Sequence, residues 1–387
     1  MCTGKVINFA SIVEDEALRQ AAITAELPFV YPHVALMPDA HVGMGSSIGT
    51  VFGTKGAIIP AAVGVDIGCG MIGVRTEFSA ADLAGKDLIQ LRDDIERIIP
   101  LSPGNYNTKV RFTATKNRVR ELEDLAAEGG VNLEHSPKWK VQLGSLGGGN
   151  HFIELCLDEV DRVWMFLHSG SRGVGNKIAQ KHIRAAKADM RIRRREVSDP
   201  NLAYLSEGTP EFDSYIRDLN WAQRFAYLNR EEMMDRFAYA LGELMGAPVV
   251  EAERINCHHN YTVQEEHFGE NVWLTRKGAI RADRGMLALI PGSMGTASYV
   301  VEGLGNADAL RSAPHGAGRL MSRTAARAAF TAADLEARMG DIVHRSGEEF
   351  VDEIPDAYKN IDQVMLDAAP LVKVRHKLRQ VLNVKGT

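Results

Sequence analysis

Cysteine is scarce and long apolar runs are missing. The 387 residues contain four cysteines, Cys2, Cys69, Cys156 and Cys257. They are too few and too scattered for a disulfide framework, so a reduced compartment is expected. No apolar run approaches the ~20 residues that cross a bilayer, which excludes a membrane segment. The opening MCTGKVINFASIVEDEA lacks the basic-then-apolar pattern of a secretory signal, so the protein is expected to be cytoplasmic. Internal repeats, low-complexity linkers and Pro/Ser-rich boundaries are also missing. The composition does offer 45% hydrophobic and 25% charged residues, the balance of a globular protein with a large core.

A net charge of −5 argues against a globally basic nucleic-acid binder. Locally the balance reverses. Residues 181–195, KHIRAAKADMRIRRR, carry seven Lys/Arg against one acid on a stretch suited to a helix. Such a run is either a solvated helix face or a contact for a polyanion.

The first ~80 residues are rich in Gly and β-branched residues and read as short strands joined by tight turns. Amphipathic patterns predict helices over 83–98 and 116–127. Strand-like segments follow at 141–155 and 163–167, then the basic helix and a second long helix over 211–245. Residues 255–290 read as β-rich, 322–339 as helical, and 356–382 as two short helices before the tail NVKGT. Sheet-like and helical segments interleave along the whole chain. The expected fold is therefore α+β, a single mixed domain spanning 1–387.

Polar residues cluster on glycine-rich turns at five places, the pattern of site residues held between core strands. The first is VGVDIGCGM with Asp66 and Cys69. The others are GGGNHF with Asn150 and His151, LHSGSRG with His168 and Arg172, NCHHNY with His258 and His259, and PHGAGR with His315 and Arg319. One thiolate, one carboxylate and several imidazoles suit Zn, Mn, Fe or Co better than Mg or Ca, which prefer oxygen shells. No HExxH or CxxC is present, so the metal site rests on dispersed ligands. Cys2, Cys156 and Cys257 are read as structural or simply exposed. His33, His135, His182, His267, His344 and His376 lack the glycine context and receive no role.

Two nucleotide motifs are excluded. The GxGxxG match at 68–73 runs into strand-like VRTEF, whereas the dinucleotide fingerprint must open a helix. GSRGVGNK at 170–177 has Asn176 and Lys177 where a P-loop requires Lys and Ser/Thr. With no KxDG lysine, a histidine nucleophile remains open, since imidazole nitrogen can attack phosphorus. The residues alone thus point to a metal-dependent enzyme acting on phosphate groups.

Taken in order, MPDAHVGMGSSIGT, AAVGVDIGCGM, GGGNHFIE, LHSGSRG, NCHHNY, TRKGA, PGSMG, HGAGRLMSR, AYKNIDQV and the terminal VKG resemble the RtcB family of RNA-splicing ligases. The resemblance runs almost end to end. It implies an RtcB-like α+β fold, two Mn(II) ions, GTP, and joining of an RNA 3′-phosphate or 2′,3′-cyclic phosphate to an RNA 5′-hydroxyl. By the same resemblance Asp66, Cys69, His151, His168 and His259 match metal ligands, with Cys69 bridging, while His258 takes a packing role. His315 matches the histidine that is guanylylated. Asn150, Glu154, Ser293, Gly316, Tyr358 and Lys385 match contacts to the guanine nucleotide. Arg172, Lys277, Arg319 and Arg323 match basic positions for phosphate or RNA, and Asp39 and His41 line the site. An activating protein partner is a further implication. Pro314 before His315 and the short 100–140 stretch depart from many relatives. The competing readings are a di-metal phosphoesterase that processes RNA 3′ ends and a non-catalytic RNA-binding protein that keeps metals for stability.

Overall fold

Seven strands form the larger sheet of the computed structural model, which describes residues 5–387; Cys2 lies outside them. In chain order they are β1 (Gly70–Ser79), β2 (Phe152–Leu157), β3 (Arg162–Ser169), β4 (Glu251–His258), β5 (Leu287–Ile290), β6 (Ser298–Gly303) and β7 (Val372–Lys385). Their order across the sheet is β5-β6-β7-β2-β3-β1-β4, every pair antiparallel. A five-stranded sheet runs Val6–Asn8, Val30–His41, Ile48–Thr54, Glu270–Lys277 and Asn260–His267. A small ribbon pairs Ala279–Arg281 with Ser312–Pro314.

Because successive side chains on a strand point to opposite faces, β1, β2, β3 and β7 each serve two cores. On one face Met71 and Phe166 pack with Met37, Val51 and Leu274 of the smaller sheet. On the other, Ile72, Met165 and Leu167 meet Met233, Phe237 and Leu241. Those last three belong to a 36-residue helix, Pro210–Met245. Thr209 accepts the Phe212 amide, Pro210 stands in the first turn, and Gly246 closes the helix in the left-handed region.

The interleaved α+β architecture agrees with expectation, as do the helices at Thr113–Gly129 and Pro210–Met245 and the strand that continues the GxGxxG match. Residues 83–98 divide into Ala80–Leu83 and Leu88–Ile98, because Asp87 caps the second helix through the Gln90 amide. Similarly, Thr331 caps a new helix and splits 322–339 into Arg323–Ala329 and Ala332–Met339. The basic helix runs Arg172–Ile192 and stops before Arg193–Arg195; Arg194 has a positive φ of 52°.

Three expectations fail. The first ~80 residues include a helix at Asp15–Ala25 that the strand reading overlooked. Residues 141–155 are not a continuous strand: they hold the end of a short helix, Trp139–Gln142, then a glycine loop, and only Phe152–Leu157 pairs. The tail contradicts the two-helix reading more strongly. Only Ile361–Asp367 is helical, and Val372–Lys385 is a 14-residue strand inside the sheet. Lys373, Arg375, Lys377 and Arg379 alternate with Val372, Val374 and Leu378, a period of two.

Candidate active site

One rim of the larger sheet gathers the chemistry. In register, Gly70 faces Ser169 on one side and His258 on the other, while His168 lies between Met71 and Phe152. The turns that enter and leave these strands therefore converge. Asp66 and Cys69 sit on the turn leading into β1. Gly68 there has φ +70°, and its amide donates to the Asn260 carbonyl at 2.6 Å. The fully buried Arg230 of the long helix donates to the carbonyls of Gly68 (2.8 Å) and Ser169 (3.1 Å), tying two of the turns together. The His258 ring packs behind, its Nδ1 2.8 Å from the Gly68 carbonyl and 3.1 Å from Arg230.

Two ligand triads share Cys69. Cys69, His168 and His259 form one, and Asp66, Cys69 and His151 the other; in each the donor atoms lie within 4.8 Å of one another. Cys69 Sγ is 3.2 Å from His168 Nε2 and 3.4 Å from His151 Nε2. His168 Nε2 is 2.8 Å from His259 Nε2, and His151 Nε2 is 3.1 Å from Asp66 Oδ2. Backbone carbonyls set the ring tautomers: His151 Nδ1 donates to Leu146 at 2.9 Å and His168 Nδ1 to Asn150 at 3.0 Å. Their Nε2 lone pairs then face a thiol, a carboxylate and another imidazole. A cation is the group that reconciles converging lone pairs, and fixed Nδ1 donors are how proteins orient such ligands.

The electrostatics fit the same reading. Burial holds His168 and His259 well below the usual imidazole range, in the neutral ligating form. Burial and the neighbouring Asp66 push the Cys69 thiol up, so a thiolate there needs a cation beside it. Burial works against ionising Asp66, but a doubly protonated His151, through its Nε2 hydrogen bond and its charge, together with the charge of Arg172, brings the carboxyl down to about 2. The Asp66 Oδ1 accepts the Ser171 amide at 2.9 Å. Gly170 beside it has no room for a side chain: a Cβ would lie 2.3 Å from that oxygen.

A cavity of about 380 Å³ opens from this cluster, walled at one end by Asp66, Cys69, His168 and His259 and at the other by Glu154, Tyr358 and Lys385. His315 lines the same cavity beside the cluster. Its ring centroid is 4.6 Å from that of His259. The fully buried Asp39 holds it: Asp39 Oδ2 accepts the amides of His315 (3.0 Å) and Gly316 (3.1 Å). His315 Nδ1 is 2.6 Å from the same oxygen, off the line of a hydrogen bond. Pro314 costs this arrangement nothing, since it pairs with Ala279 in the small ribbon and lies in extended backbone.

At the far end, charge is paired. Lys385 Nζ meets Glu353 Oε2 at 2.8 Å, with both side chains nearly inaccessible. Tyr358 donates to Glu353 at 2.8 Å, and Arg319 donates to Tyr358 at 2.9 Å and Glu353 at 3.3 Å. Arg323 reaches Asp352 at 2.6 Å and also contacts Glu353. Glu154 has a different setting. Burial raises its carboxyl to about 8, although Lys385 and the Asn383 amide, 2.9 Å away, pull the other way.

Asn150, Ser293 and Gly316 also line the cavity. Asn150 is exposed, and the Ser293 amide donates to Thr296 Oγ1 at 2.7 Å. His151 stands just outside the lining, and so does Arg172, whose Nε donates to Ser145 at 3.3 Å. The basic positions are more occupied than a phosphate-binding role predicts. Lys277 Nζ donates to the carbonyls of Met44 and Ser46, both at 2.7 Å, and burial lowers its ammonium to about 7. Arg319 spends its fork on Glu353, Tyr358 and the Asp352 carbonyl. Of the two arginines beside Glu353, Arg323 keeps more donors free, pairing through Nη1 alone. Cys156 and Cys257 are buried and unpaired, as expected of structural cysteines. Sequence reasoning overlooked Glu353, the hub of the charge network, Asp39 as the grip on His315, and Asn383 beside Glu154. Glu353 and Asn383 sit in no glycine-rich turn, so nothing local marked them.

Fold and site together define an α+β protein with a potential metal-ligating cluster and a partly buried histidine facing one cavity. The family model described as tRNA-splicing ligase RtcB matches residues 20–386. RNA-splicing ligase RtcB1 of one Escherichia coli strain is 46% identical over 392 residues, covering 97% of this chain and 95% of that protein. RNA-splicing ligase RtcB of Escherichia coli K12 is 45% identical with the same coverage. The tRNA-splicing ligase RtcB of Pyrobaculum aerophilum is 30% identical over 443 residues, covering 95% and 90%. The chain belongs to the RtcB family.

Proposed function

We propose that this protein is an RNA ligase of splicing or repair, acting in the cytoplasm as one domain and joining RNA 3′-phosphate or 2′,3′-cyclic phosphate ends to 5′-hydroxyl ends with GTP. Family membership supports the ligase class. The observation that carries the chemistry is His315, held by Asp39 and lining one cavity with the metal-ligating cluster and with Glu154, Tyr358 and Lys385.

In this reading Asp66, Cys69, His151, His168 and His259 would hold two Mn(II) ions, Cys69 belonging to both ligand triads. The ions would supply neutralisation of phosphate charge. His315 nitrogen attacks the α-phosphorus of GTP; the P–N bond forms as the bond to pyrophosphate breaks, and GMP rests on the imidazole. A 2′,3′-cyclic end is first opened by water to a 3′-phosphate. The 3′-phosphate oxygen then takes the GMP, and the 5′-hydroxyl oxygen attacks the activated phosphorus, expelling GMP. Asp39 fixes the imidazole in place, since its carboxylate already binds the two backbone amides around it.

Glu154, Asn150, Ser293, Gly316, Tyr358 and Lys385 form the nucleotide end. A carboxylate at Glu154 accepts from the N1 and N2 donors of guanine, which adenine cannot match. Arg172 and Arg323 are the basic side chains with donors to spare for RNA phosphates; Arg319 and Lys277 brace the wall. An activating protein partner fits a histidine that must be recharged each cycle.

The test is ligation of an RNA bearing a 2′,3′-cyclic phosphate and an RNA bearing a 5′-hydroxyl, with Mn(II), with and without GTP. Joining that requires GTP is expected. Cleavage or dephosphorylation without GTP would instead make the protein a di-metal phosphoesterase, and RNA binding with no turnover would leave a non-catalytic binder.

A further inference from the structure

Asn383 stands opposite Glu154 across the β7–β2 ladder, and both wall the cavity. Its amide nitrogen donates to Glu154 Oε1 at 2.9 Å and lies 3.5 Å from Gln380 Oε1. Its other end is unsatisfied: Oδ1 is buried with no hydrogen-bond partner, in a residue only 2% exposed. Buried polar atoms are rarely left so without a ligand or water to complete them. Turning the amide over would set its oxygen against Gln380 Oε1, which already accepts the Gly295 amide, and against the ionised form of Glu154, acceptor facing acceptor. The nitrogen therefore belongs to Glu154 and the oxygen to whatever enters the cavity.

We infer that Asn383 is a specificity-determining residue for the nucleotide, its Oδ1 accepting a hydrogen from the guanine N2 amino group beside Glu154. This rests on the guanine-nucleotide reading given above. The base edge offers three hydrogens, one on N1 and two on N2, and a carboxylate takes two of them side by side. The third is left for an acceptor on the adjacent strand, where the Asn383 oxygen stands. Through its nitrogen the same amide also favours the ionised form of Glu154, which is the form that accepts from N1. Hypoxanthine, which lacks the N2 amino group, cannot use the Asn383 oxygen.

Equilibrium dialysis of the full chain against GMP, IMP and AMP tests this. The wild type is expected to prefer GMP over both others. In Asn383→Leu, of similar volume, the GMP-to-IMP preference should fall by about tenfold, the size of one hydrogen bond to a buried acceptor. The change should come from weaker GMP binding beyond any loss shared with IMP. If Asn383→Leu does not fold, as judged by thermal unfolding, Asn383→Ala carries the same expectation. An unchanged GMP-to-IMP ratio in a folded variant, with GMP still preferred over AMP, would overturn the role of Asn383 alone. Equal binding of GMP and AMP by the wild type would overturn the guanine reading, and the role of Asn383 with it.

Discussion

Asp66 and Glu154 line one cavity, yet the first carboxyl is held down at about 2 against burial, while burial takes the second up to about 8. The difference lies in what each touches. The Asp66 side chain keeps 30% of its exposure and has His151, Arg172 and the Ser171 amide beside it. Glu154 is 3% exposed, and its nearest cation, Lys385, is already paired with Glu353. One end is built to hold positive charge that arrives from outside. The other balances its charges internally and keeps one carboxyl in reserve for a ligand with hydrogens to give.

The largest effect should come from removing the ligand that both triads share. Cys69→Ala is expected to lower bound Mn(II) to below half of the wild-type stoichiometry after dialysis and to reduce ligation by at least ~10²-fold. Elemental analysis of the dialysed protein checks it, and full metal content in the variant would break the comparison at its metal end. At the other end, Lys385→Met should destabilise the fold by about 1.5–3 kcal/mol in a denaturant titration, because it removes one charge-assisted hydrogen bond to the buried Glu353 while Arg319, Arg323 and Tyr358 remain. A loss below ~1 kcal/mol would mean that the charge network does not hold this end together.

Asp66, Cys69 and His151 were legible because they sit on glycine turns whose pattern is visible in the chain itself, whereas His168 lies at the end of a strand and His259 in a segment without glycine. His151, His168 and His259 fell within reach of Cys69 as expected. The end with Glu154 and Lys385 was not legible in the same way. Asn383 and Lys385 acquire their surroundings only through β7, a stretch whose sequence suggests a short helix and a tail. Their partners lie 229 and 32 positions away in the chain. Glu353 gathers Arg319, Arg323, Tyr358 and Lys385 from separate segments, and no local pattern announces such a hub. Helices were read more easily than strands for the same reason: Pro210–Met245 carries its own caps, whereas a strand is defined by its neighbours.

A smaller effect sharpens the Glu154 half. A carboxyl raised from 4.5 to about 8 binds its proton in the folded state while the unfolded chain has released it, so folding loses stability as pH rises through that window. Relative to wild type, Glu154→Gln should therefore gain stability between pH 4.5 and 8, by on the order of a few kcal/mol. Denaturant titrations at the two pH values measure it; a pH-independent difference would show that Glu154 is ionised throughout.

The smallest effect concerns the basic helix. Arg193 is paired with Asp189, and Arg195 donates to Ser206, while Arg191 and Arg194 have no ion-pair partner among the described residues. Reversing Arg191, Arg193, Arg194 and Arg195 to Glu should weaken RNA joining. It should also flatten the dependence of RNA affinity on salt, the log–log slope falling by roughly 0.7 for each phosphate no longer neutralised. Guanylylation without RNA should be unchanged. An unaltered salt slope would return the helix to a solvated surface.

The two ends of the cavity, on this account, exist to set GTP against His315. Incubating the purified protein with Mn(II) and GTP labelled at the α-phosphate measures it directly. A covalent, acid-labile label is expected on the wild type and none on His315→Ala; equal labelling of the variant would contradict the account.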